Sequence, residues 1–150
     1  MNSADELLEH LRMCAQFQPN GFYAFVLKHG RLWTPAPRPA GMRKQRNGTC
    51  FKSAYEAAER DSALTYVEGY GMSVIPVLHA WCVDQEGRVV DPVWTNPETR
   101  AYYGIPLTLE FLHRTMMRTR VYGVLDDPET VGLMAKADPS TFLANTGVPA

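Results

Sequence analysis

Apolar side chains recur every three or four residues from Leu7 to Cys14, a spacing that is typical of one face of a helix. The preceding segment at residues 3–6, Ser-Ala-Asp-Glu, has the form of a capping box. The pattern therefore predicts a helix over residues 4–17. Cys14 falls on its apolar stripe, where a small buried thiol is the usual occupant.

Two short runs that favour β-structure follow this helix. Residues 23–27 and 32–34 flank the segment 28–31, Lys-His-Gly-Arg, in which Gly30 can supply a turn. The pattern predicts a β-hairpin, and the expected N-terminal unit of helix and hairpin spans residues 3–34.

The segment from residue 35 to residue 48 lacks any period and is rich in Pro, Arg, Lys and Gly. It predicts a loop of about a dozen residues, and loops of that length in compact domains are often functional.

An amphipathic helix is predicted over residues 50–60, with Thr49 or Asn47 as its cap. The stripe that would face the core consists of Phe51, Ala54, Tyr55 and Ala58. Cys50 would lie in the first turn, where free backbone N–H groups and the helix dipole favour the thiolate over the thiol.

The next part of the chain is rich in Val, Tyr, Trp and Ile and is broken by glycine and proline. The β-favouring runs are residues 64–70, 73–78, 79–83 and 88–94. We predict three antiparallel strands from them, with the boundary between residues 74 and 79 left open. The last two strands turn through residues 84–87, with Gly87 in the left-handed region.

This turn decides which residues face each other across the last two strands. If residues 85–87 form the loop, Trp81 pairs with Asp91 and His79 pairs with Val93. His79 and Asp91 then share one face as diagonal neighbours, at roughly 7 to 8 Å between backbones. A register shifted by one residue would put them on opposite faces.

The remainder of the chain is expected to be largely helical. In order, the pattern predicts an aromatic segment at residues 101–106, a helix at 108–118, a short strand at 121–125 and a helix at 128–137. The inward positions of the first of these helices would be Leu109, Leu112, Met116 and Met117.

The fold class that these elements predict is α+β, with an antiparallel sheet packed against a central helix that starts at Cys50. We expect a single domain over residues 1–150, with a helical tail at 107–150. A chain of 150 residues, 45% of them apolar, can bury such a core without a metal or a disulfide.

The three cysteines show no Cys-x-x-Cys spacing, which argues against a disulfide framework and against a zinc site. The first residues lack a basic segment followed by an apolar run, and no apolar run approaches the roughly 18 residues of a membrane helix. We therefore expect a reducing, cytoplasmic setting and no contact with membranes.

The net charge of −1 conceals a basic stretch, because no Asp or Glu occurs between Glu9 and Glu56. The basic residues there are Arg12, Lys28, Arg31, Arg38, Arg43, Lys44, Arg46 and Lys52. Two interpretations remain open, a solvated face or a rim that attracts anions near Cys50.

A cysteine nucleophile needs a thiolate, a base that takes and returns the proton, and a group that holds the base in its useful tautomer. The chain offers Cys50 at a helix start, His79 on a strand and Asp91 on the partner strand. We predict that these three residues form such a relay.

Four segments together resemble the transglutaminase-like core, a rearranged relative of the papain-like cysteine proteases. They are Asn-Gly-Thr-Cys at 47–50, Tyr-Val-Glu-Gly-Tyr at 66–70, His-Ala-Trp at 79–81 and Val-Asp-Pro-Val-Trp at 90–94. The resemblance implies that Cys50 is the nucleophile, His79 the general base and acid, and Asp91 the orienting carboxylate. The likeness covers residues 45–106 and implies that the core of the domain lies there. Many members of the family carry Thr where this chain has Val93.

The donor that would stabilise an oxyanion is less obvious. Gln45 resembles the glutamine that precedes the nucleophile in papain-like enzymes, and its amide could complement the backbone N–H of Cys50. Asn47 and Trp81 are rival donors.

The expected activity is that of a thiol-dependent hydrolase that cleaves an amide or peptide bond through a thioacyl intermediate. An acyltransferase or transglutaminase with an amine acceptor is the alternative, and residues 46–51 also resemble arylamine N-acetyltransferases faintly. A third hypothesis is a catalytically silent binding module whose basic loop contacts an anionic partner. The pattern does not favour nucleic acid as that partner.

The expected substrate is a peptide, a protein or a small amide, and the mechanism requires neither a cofactor nor a metal. The residues predicted to contact it are Arg43, Arg46, Asn47, Trp81 and Trp94. The oligomeric state does not follow from the sequence.

Overall fold

A five-stranded antiparallel sheet lies at the centre of this α+β fold, which a computed structural model describes over residues 2–148. The strands are β1 (Arg31–Trp33), β2 (Thr65–Met72), β3 (Pro76–Val83), β4 (Val89–Val90) and β5 (Ala101–Leu107), in the spatial order β1-β5-β2-β3-β4. The predicted α+β class and the antiparallel sheet are confirmed.

Five α-helices cover the sheet and its loops. They are α1 (Ser3–Phe17), α2 (Phe22–His29), α3 (Cys50–Arg60), α4 (Leu109–Thr119) and α5 (Pro128–Lys136), with 3₁₀ turns at Pro97–Thr99 and Pro139–Thr141. Four of the five α-helices were expected within a residue or so of these limits. The predicted capping box is wrong, because the N-cap of α1 is Asn2, whose Oδ1 accepts a hydrogen bond from Asp5 N at 2.9 Å.

The predicted hairpin over residues 23–34 is wrong in its first half. Residues 23–27 belong to helix α2, which buries Phe25 and Val26 and closes with a hydrogen bond from Gly30 N to Val26 O at 2.7 Å. A short apolar run fits a helix or a strand equally well, and packing against the core decides between them. Only the second run forms a strand, β1.

The predicted register of the third and fourth strands is confirmed. Val83 pairs with Val89 and Cys82 with Val90, and Gly87 closes the turn at φ +77°. Strand β4 ends at Val90, earlier than the expected residue 94, because the proline after Asp91 has no N–H to give to a ladder.

The predicted strand at residues 121–125 is also wrong, and a buried carboxylate explains why. Glu68 of β2 is fully buried and accepts hydrogen bonds from Val124 N at 2.9 Å and from Leu125 N at 2.7 Å. The backbone donors that a strand would use are thereby taken by a side chain, and the segment stays a loop. The aromatic segment at 101–106 forms β5 instead.

Helix α4 presents a narrower apolar face than the sequence suggested. Its buried residues are Leu112 and Thr115, and Met116 packs at the edge of the core. The assignment of Leu109 and Met117 to the interior is wrong, since they are 36% and 66% exposed.

The sheet curls until its two edges meet. Thr34, just after β1, accepts a hydrogen bond from Val89 N at 2.8 Å and donates one to Gly87 O at 3.2 Å. Residues on alternate sides of the strands therefore enter two different cores. The outer core lies between the sheet and the helices and includes Leu7, Ala54 and Phe142.

The second core, which we call the inner cluster, fills the concave side of the sheet. It consists of Trp33, Val67, Trp81, Val83, Val89 and Tyr102, with Trp94 packed against it. Glycines make room for these rings. A Cβ at Gly71 would lie 2.5 Å from Trp94 Cη2, and a Cβ at Gly104 would lie 2.8 Å from Trp81 Cη2.

No helix within residues 2–148 is both long enough and apolar enough to cross a membrane.

Replacing Gly71 by Ala should displace the Trp94 ring, because the new methyl group would overlap it. We expect a loss of about 1–3 kcal/mol in the free energy of unfolding, measured by urea titration with tryptophan fluorescence. Gly132→Ala is the matched control, because no atom lies within 4 Å of its Cβ position. That change should stabilise helix α5 by about 0.5–1 kcal/mol. Equal effects of the two substitutions would contradict the prediction.

Candidate active site

Cys50 is the first residue of helix α3 and is half-buried. The Thr49 hydroxyl does not cap the helix; it donates to Arg46 O at 2.6 Å and contacts Ser53 Oγ at 2.9 Å. The N–H groups of the first turn are therefore not taken by a capping side chain. A thiolate or a developing oxyanion at this helix end would find donors there.

The helix is fixed to the sheet by its packing against β3. Cys82 Sγ donates to Ala54 O at 3.2 Å, one turn beyond Cys50. Because β3 also carries His79, the same packing sets the position of the thiol relative to the imidazole. The Cys50 side chain is near enough to the imidazole to contribute to raising the pKa of His79.

His79 lies between Cys50 and Asp91 and is only 2% exposed. Its Nε2 is 2.8 Å from Asp91 Oδ2, which leaves Nδ1 as the ring nitrogen that Asp91 does not engage. The register of β3 and β4 therefore brings together the two residues that it was expected to bring together.

Asp91 has no exposed surface, and both of its carboxylate oxygens are satisfied. Oδ1 accepts from Val93 N at 2.9 Å and from Trp94 N at 3.1 Å. Oδ2 accepts from Tyr102 Oη at 2.9 Å in addition to its contact with His79. The carboxylate is held from the turn, from β3 and from β5 at once.

Burial and pairing shift the pKa values of His79 and Asp91 in opposite directions. Burial lowers the pKa of His79, but the hydrogen bond to Asp91 and the interaction with Cys50 outweigh it, so the pKa lies above 6.5. Burial raises the pKa of Asp91, but the hydrogen bond from His79 and the two backbone N–H groups outweigh it, so the pKa lies below 3.8. The imidazolium and the carboxylate each favour the charged form of the other.

These directions fix how the pair contributes to stability. The contribution of His79 is complete below its unfolded pKa and is lost as the pH rises through its raised folded value. The contribution of Asp91 is present above its unfolded pKa and is lost as the pH falls through its lowered folded value. Between these limits the charged pair is intact.

The Trp94 ring covers the His79 imidazole. The two rings stack with their centroids 3.8 Å apart and their planes at 12° to each other. The guanidinium carbon of Arg100 lies 5.6 Å from the centroid of the Trp94 ring. The rings of Trp81 and Tyr102 lie farther from His79, at 5.9 and 6.2 Å. This stack contributes to the burial of the imidazole, whereas Cys50 stays half-buried.

The loop at residues 35–48 is anchored directly to the segment that carries Asp91. Arg38 Nη1 donates to Asp91 O at 3.1 Å and to Trp94 O at 2.9 Å. Gln45 N donates to Pro92 O at 2.7 Å. The expected loop thus crosses beside the candidate relay before it enters helix α3.

The predicted oxyanion donors lie in different surroundings. Gln45 is exposed, and its Nε2 donates to Arg43 O at 3.0 Å. Asn47 is exposed and accepts from Lys44 Nζ at 3.1 Å. Trp81 is fully buried in the inner cluster, and its Nε1 finds no hydrogen-bond partner within residues 2–148. The role of each as a donor stays a prediction.

The residues predicted to contact the substrate also differ in their exposure to solvent. Arg43, Arg46 and Asn47 are exposed on the loop, and Trp94 is half-buried over His79. Trp81 lies beneath this surface, where a substrate outside the inner cluster would not reach it.

Two residues at the site were missed by the sequence reasoning in these roles. Arg38 was grouped with the basic stretch, and Tyr102 was included only in the aromatic segment at residues 101–106. The sequence did contain a signal for Tyr102, because it stands beside Tyr103 in a β-favouring run. Side chains alternate between the two faces of a strand, so one of these two rings must lie on the concave side of the sheet.

The other two cysteines differ sharply from each other. Burial, with a smaller effect of Asp91, raises the pKa of Cys82 to about 12. Cys14 is half-buried on α1, and its Sγ lies 3.6 Å from His10 Nε2. Cys14 is therefore the thiol that an experiment on Cys50 must control for. Within the described residues, no group of three His, Cys, Asp or Glu side chains could hold a metal ion.

Comparison with protein-family models, with curated proteins and with solved structures gives no match to the chain.

The charge on His79 should control how Cys50 reacts with alkylating agents. An imidazolium attracts the carboxylate of iodoacetate, so the ratio of the iodoacetate to the iodoacetamide rate should fall as the pH rises through the His79 pKa. Asp91→Asn removes the main interaction that raises this pKa, and the fall should move to lower pH. The rates are measured by mass spectrometry of the alkylated Cys50 peptide.

The background for this experiment is Cys14→Ser, which removes the other accessible thiol next to a histidine. Cys82 serves as an internal reference, because its raised pKa should keep it unmodified at neutral pH in the folded protein. A fall at the same pH with and without Asp91 would contradict the coupling between the three residues.

Proposed function

We propose that the protein is a thiol-dependent hydrolase that cleaves an amide or peptide bond through a thioacyl intermediate on Cys50. The observation that carries the proposal is the buried hydrogen bond of 2.8 Å between His79 Nε2 and Asp91 Oδ2, with Cys50 next to the same ring at the start of helix α3. A base oriented by a carboxylate beside a nucleophile is the arrangement that acyl transfer requires.

The reaction begins with the thiolate of Cys50. Its sulfur bonds to the carbonyl carbon of the substrate, and the carbonyl oxygen takes the negative charge of the tetrahedral intermediate. His79 then gives its Nδ1 proton to the leaving nitrogen, the C–N bond breaks, and the thioester remains on Cys50.

Water resolves the thioester in the second half of the reaction. His79, now neutral, takes a proton from the water as its oxygen bonds to the acyl carbon. The C–S bond breaks, the acid leaves, and the thiolate faces the imidazolium again. Asp91 keeps the ring in one orientation throughout, and its charge stabilises each imidazolium.

The fold at the level of a family is part of the same proposal. A helix that opens with the nucleophile, a strand that carries His79 and a following turn that carries Asp91 support a transglutaminase-like core over residues 45–106. The site, and not this likeness, carries the argument for the activity.

Stabilisation of the oxyanion is assigned to the backbone N–H of Cys50 together with the side-chain amide of Gln45. In its present rotamer this amide bonds to Arg43 O, on the exposed side of the loop. Gln45 N donates to Pro92 O at 2.7 Å, so the backbone is anchored while the side chain lies in solvent. We propose that substrate binding brings the amide to the oxyanion.

Substrate selection is assigned to the same loop. Arg43 and Arg46 stand exposed just before the nucleophile, and the loop has no acidic residue to neutralise them. A carboxylate or phosphate on the substrate would be attracted there. Asn47 and the exposed edge of Trp94 complete the surface that we propose for the substrate.

Cys50→Ala should reduce hydrolysis of a panel of peptides and chromogenic amides by about a thousandfold or more, because the covalent step is lost. Helix α3 should keep its structure, since alanine is a good helix former. Cys14→Ser is the matched control and should keep its turnover. Full activity of Cys50→Ala would exclude the relay. If the wild-type protein forms product only when an amine is added, the activity is that of an acyltransferase.

Gln45→Ala should lower kcat by about a hundredfold, with a smaller effect on KM, if its amide binds the oxyanion. Gln16→Ala is the control, because Gln16 is an exposed glutamine on helix α1 far from the loop in sequence. Asn47→Ala, assayed in parallel, tests the rival donor. A loss in Asn47→Ala alone would transfer the role from Gln45 to Asn47.

A further inference from the structure

We propose that Tyr102 is a positioning residue for the relay, which holds the Asp91 carboxylate in place and weakens the negative charge that Asp91 presents to His79. This inference rests on the proposed function and adds a member that was not part of the predicted site. Tyr102 acts through Asp91 and has no proposed contact with the substrate.

The phenol is placed by the sheet. Tyr102 pairs with Gly71 of β2 and with Trp33 of β1, so its backbone is fixed on both sides. Its ring is fully buried in the inner cluster, 5.0 Å from Trp81 and 5.7 Å from Trp94 between centroids. Its hydroxyl lies beside Asp91, with Oη 2.9 Å from Oδ2.

Tyr102 can only donate in this hydrogen bond. Burial, followed by the nearby charge of Asp91, raises its pKa far above the ordinary value of 10.0, so the phenol stays protonated. The acceptor, Oδ2, is the same oxygen that accepts from His79 Nε2 at 2.8 Å. Two donors from different strands therefore share one carboxylate oxygen.

This sharing has two consequences for the relay. The positive end of the O–H dipole reduces the negative potential that reaches the imidazole, which limits how strongly Asp91 favours the imidazolium. The same bond prevents the carboxylate from rotating away from His79, since Asp91 is then held on both oxygens. Tyr102 thus sets the charge and the orientation together.

Other ionisable groups surround the pair and are unchanged by a substitution at Tyr102. They are Cys50 on α3, Cys82 on β3, Arg38 on the loop, and Glu98 and Arg100 before β5.

The test is the titration of His79 by NMR of the 150-residue chain labelled with ¹³C-histidine, compared between the wild type and Tyr102→Phe. Removal of the phenol should move the His79 titration to higher pH, because Oδ2 then acts on the imidazole alone. Tyr103→Phe is the matched control: its hydroxyl donates to Leu27 O and Gly30 O, away from Asp91, and its removal should leave the titration unchanged.

A second variant covers the case in which Tyr102→Phe does not fold. Replacement of Tyr102 by 3-fluorotyrosine keeps the ring and makes the hydroxyl a stronger donor, so the titration should move to lower pH. An unchanged titration, or one that moves in the same direction in both variants, would overturn the inference.

The outcome is separable from that of the proposed function. The titration reports the interaction of Tyr102 with the pair whether or not the protein turns over a substrate. A shift in Tyr102→Phe together with full activity of Cys50→Ala would retain the action of Tyr102 on the His79–Asp91 pair and reject the hydrolase. An unchanged titration in Tyr102→Phe together with loss of activity in Cys50→Ala would reject only the role of Tyr102.

Discussion

The hydrogen bond between His79 and Asp91 is the interaction on which the remaining features of the site depend. Two groups of opposite charge with exposures of 2% and 0% stabilise each other strongly, but either one alone would be costly to bury. The surrounding structure satisfies that condition, because the turn donates two N–H groups to Asp91 and the Trp94 ring covers His79. The closure of the sheet provides the enclosed space in which all of this occurs.

The three residues of the candidate relay differ in their access to solvent. Cys50 is half-buried at a helix end, whereas the imidazole and the carboxylate lie beneath an indole ring. The sulfur is therefore the most solvent-accessible group of the three, and the imidazole is largely shielded from bulk solvent. The loop at 35–48 also has a half-buried and an exposed side. Arg38 bonds to the backbone of Asp91 and Trp94, whereas Arg43 and Arg46 lie exposed to solvent.

Much of the local structure could be predicted because it depends on local causes. The turn at residues 84–87 fixes the register that unites His79 and Asp91, and helix α3 begins at Cys50 as its apolar spacing indicated. The errors arose where distant residues decide. Glu68 removes the donors of a strand 56 residues away, and the packing of Phe25 makes a helix of a run that fits a strand. The partner of Asp91 on β5 depends on how the sheet closes, which no local pattern encodes.

The contact at Thr34 also affects how the protein behaves among its own copies. Both terminal strands of the sheet are short, at three residues for β1 and two for β4, and Thr34 gives its backbone groups to the chain beside β4. When the two edges of a sheet hydrogen-bond to each other, few backbone N–H and C=O groups stay free to pair with a strand from another molecule. The curvature that encloses the inner cluster thus also protects the folded chain against intermolecular β-pairing and aggregation.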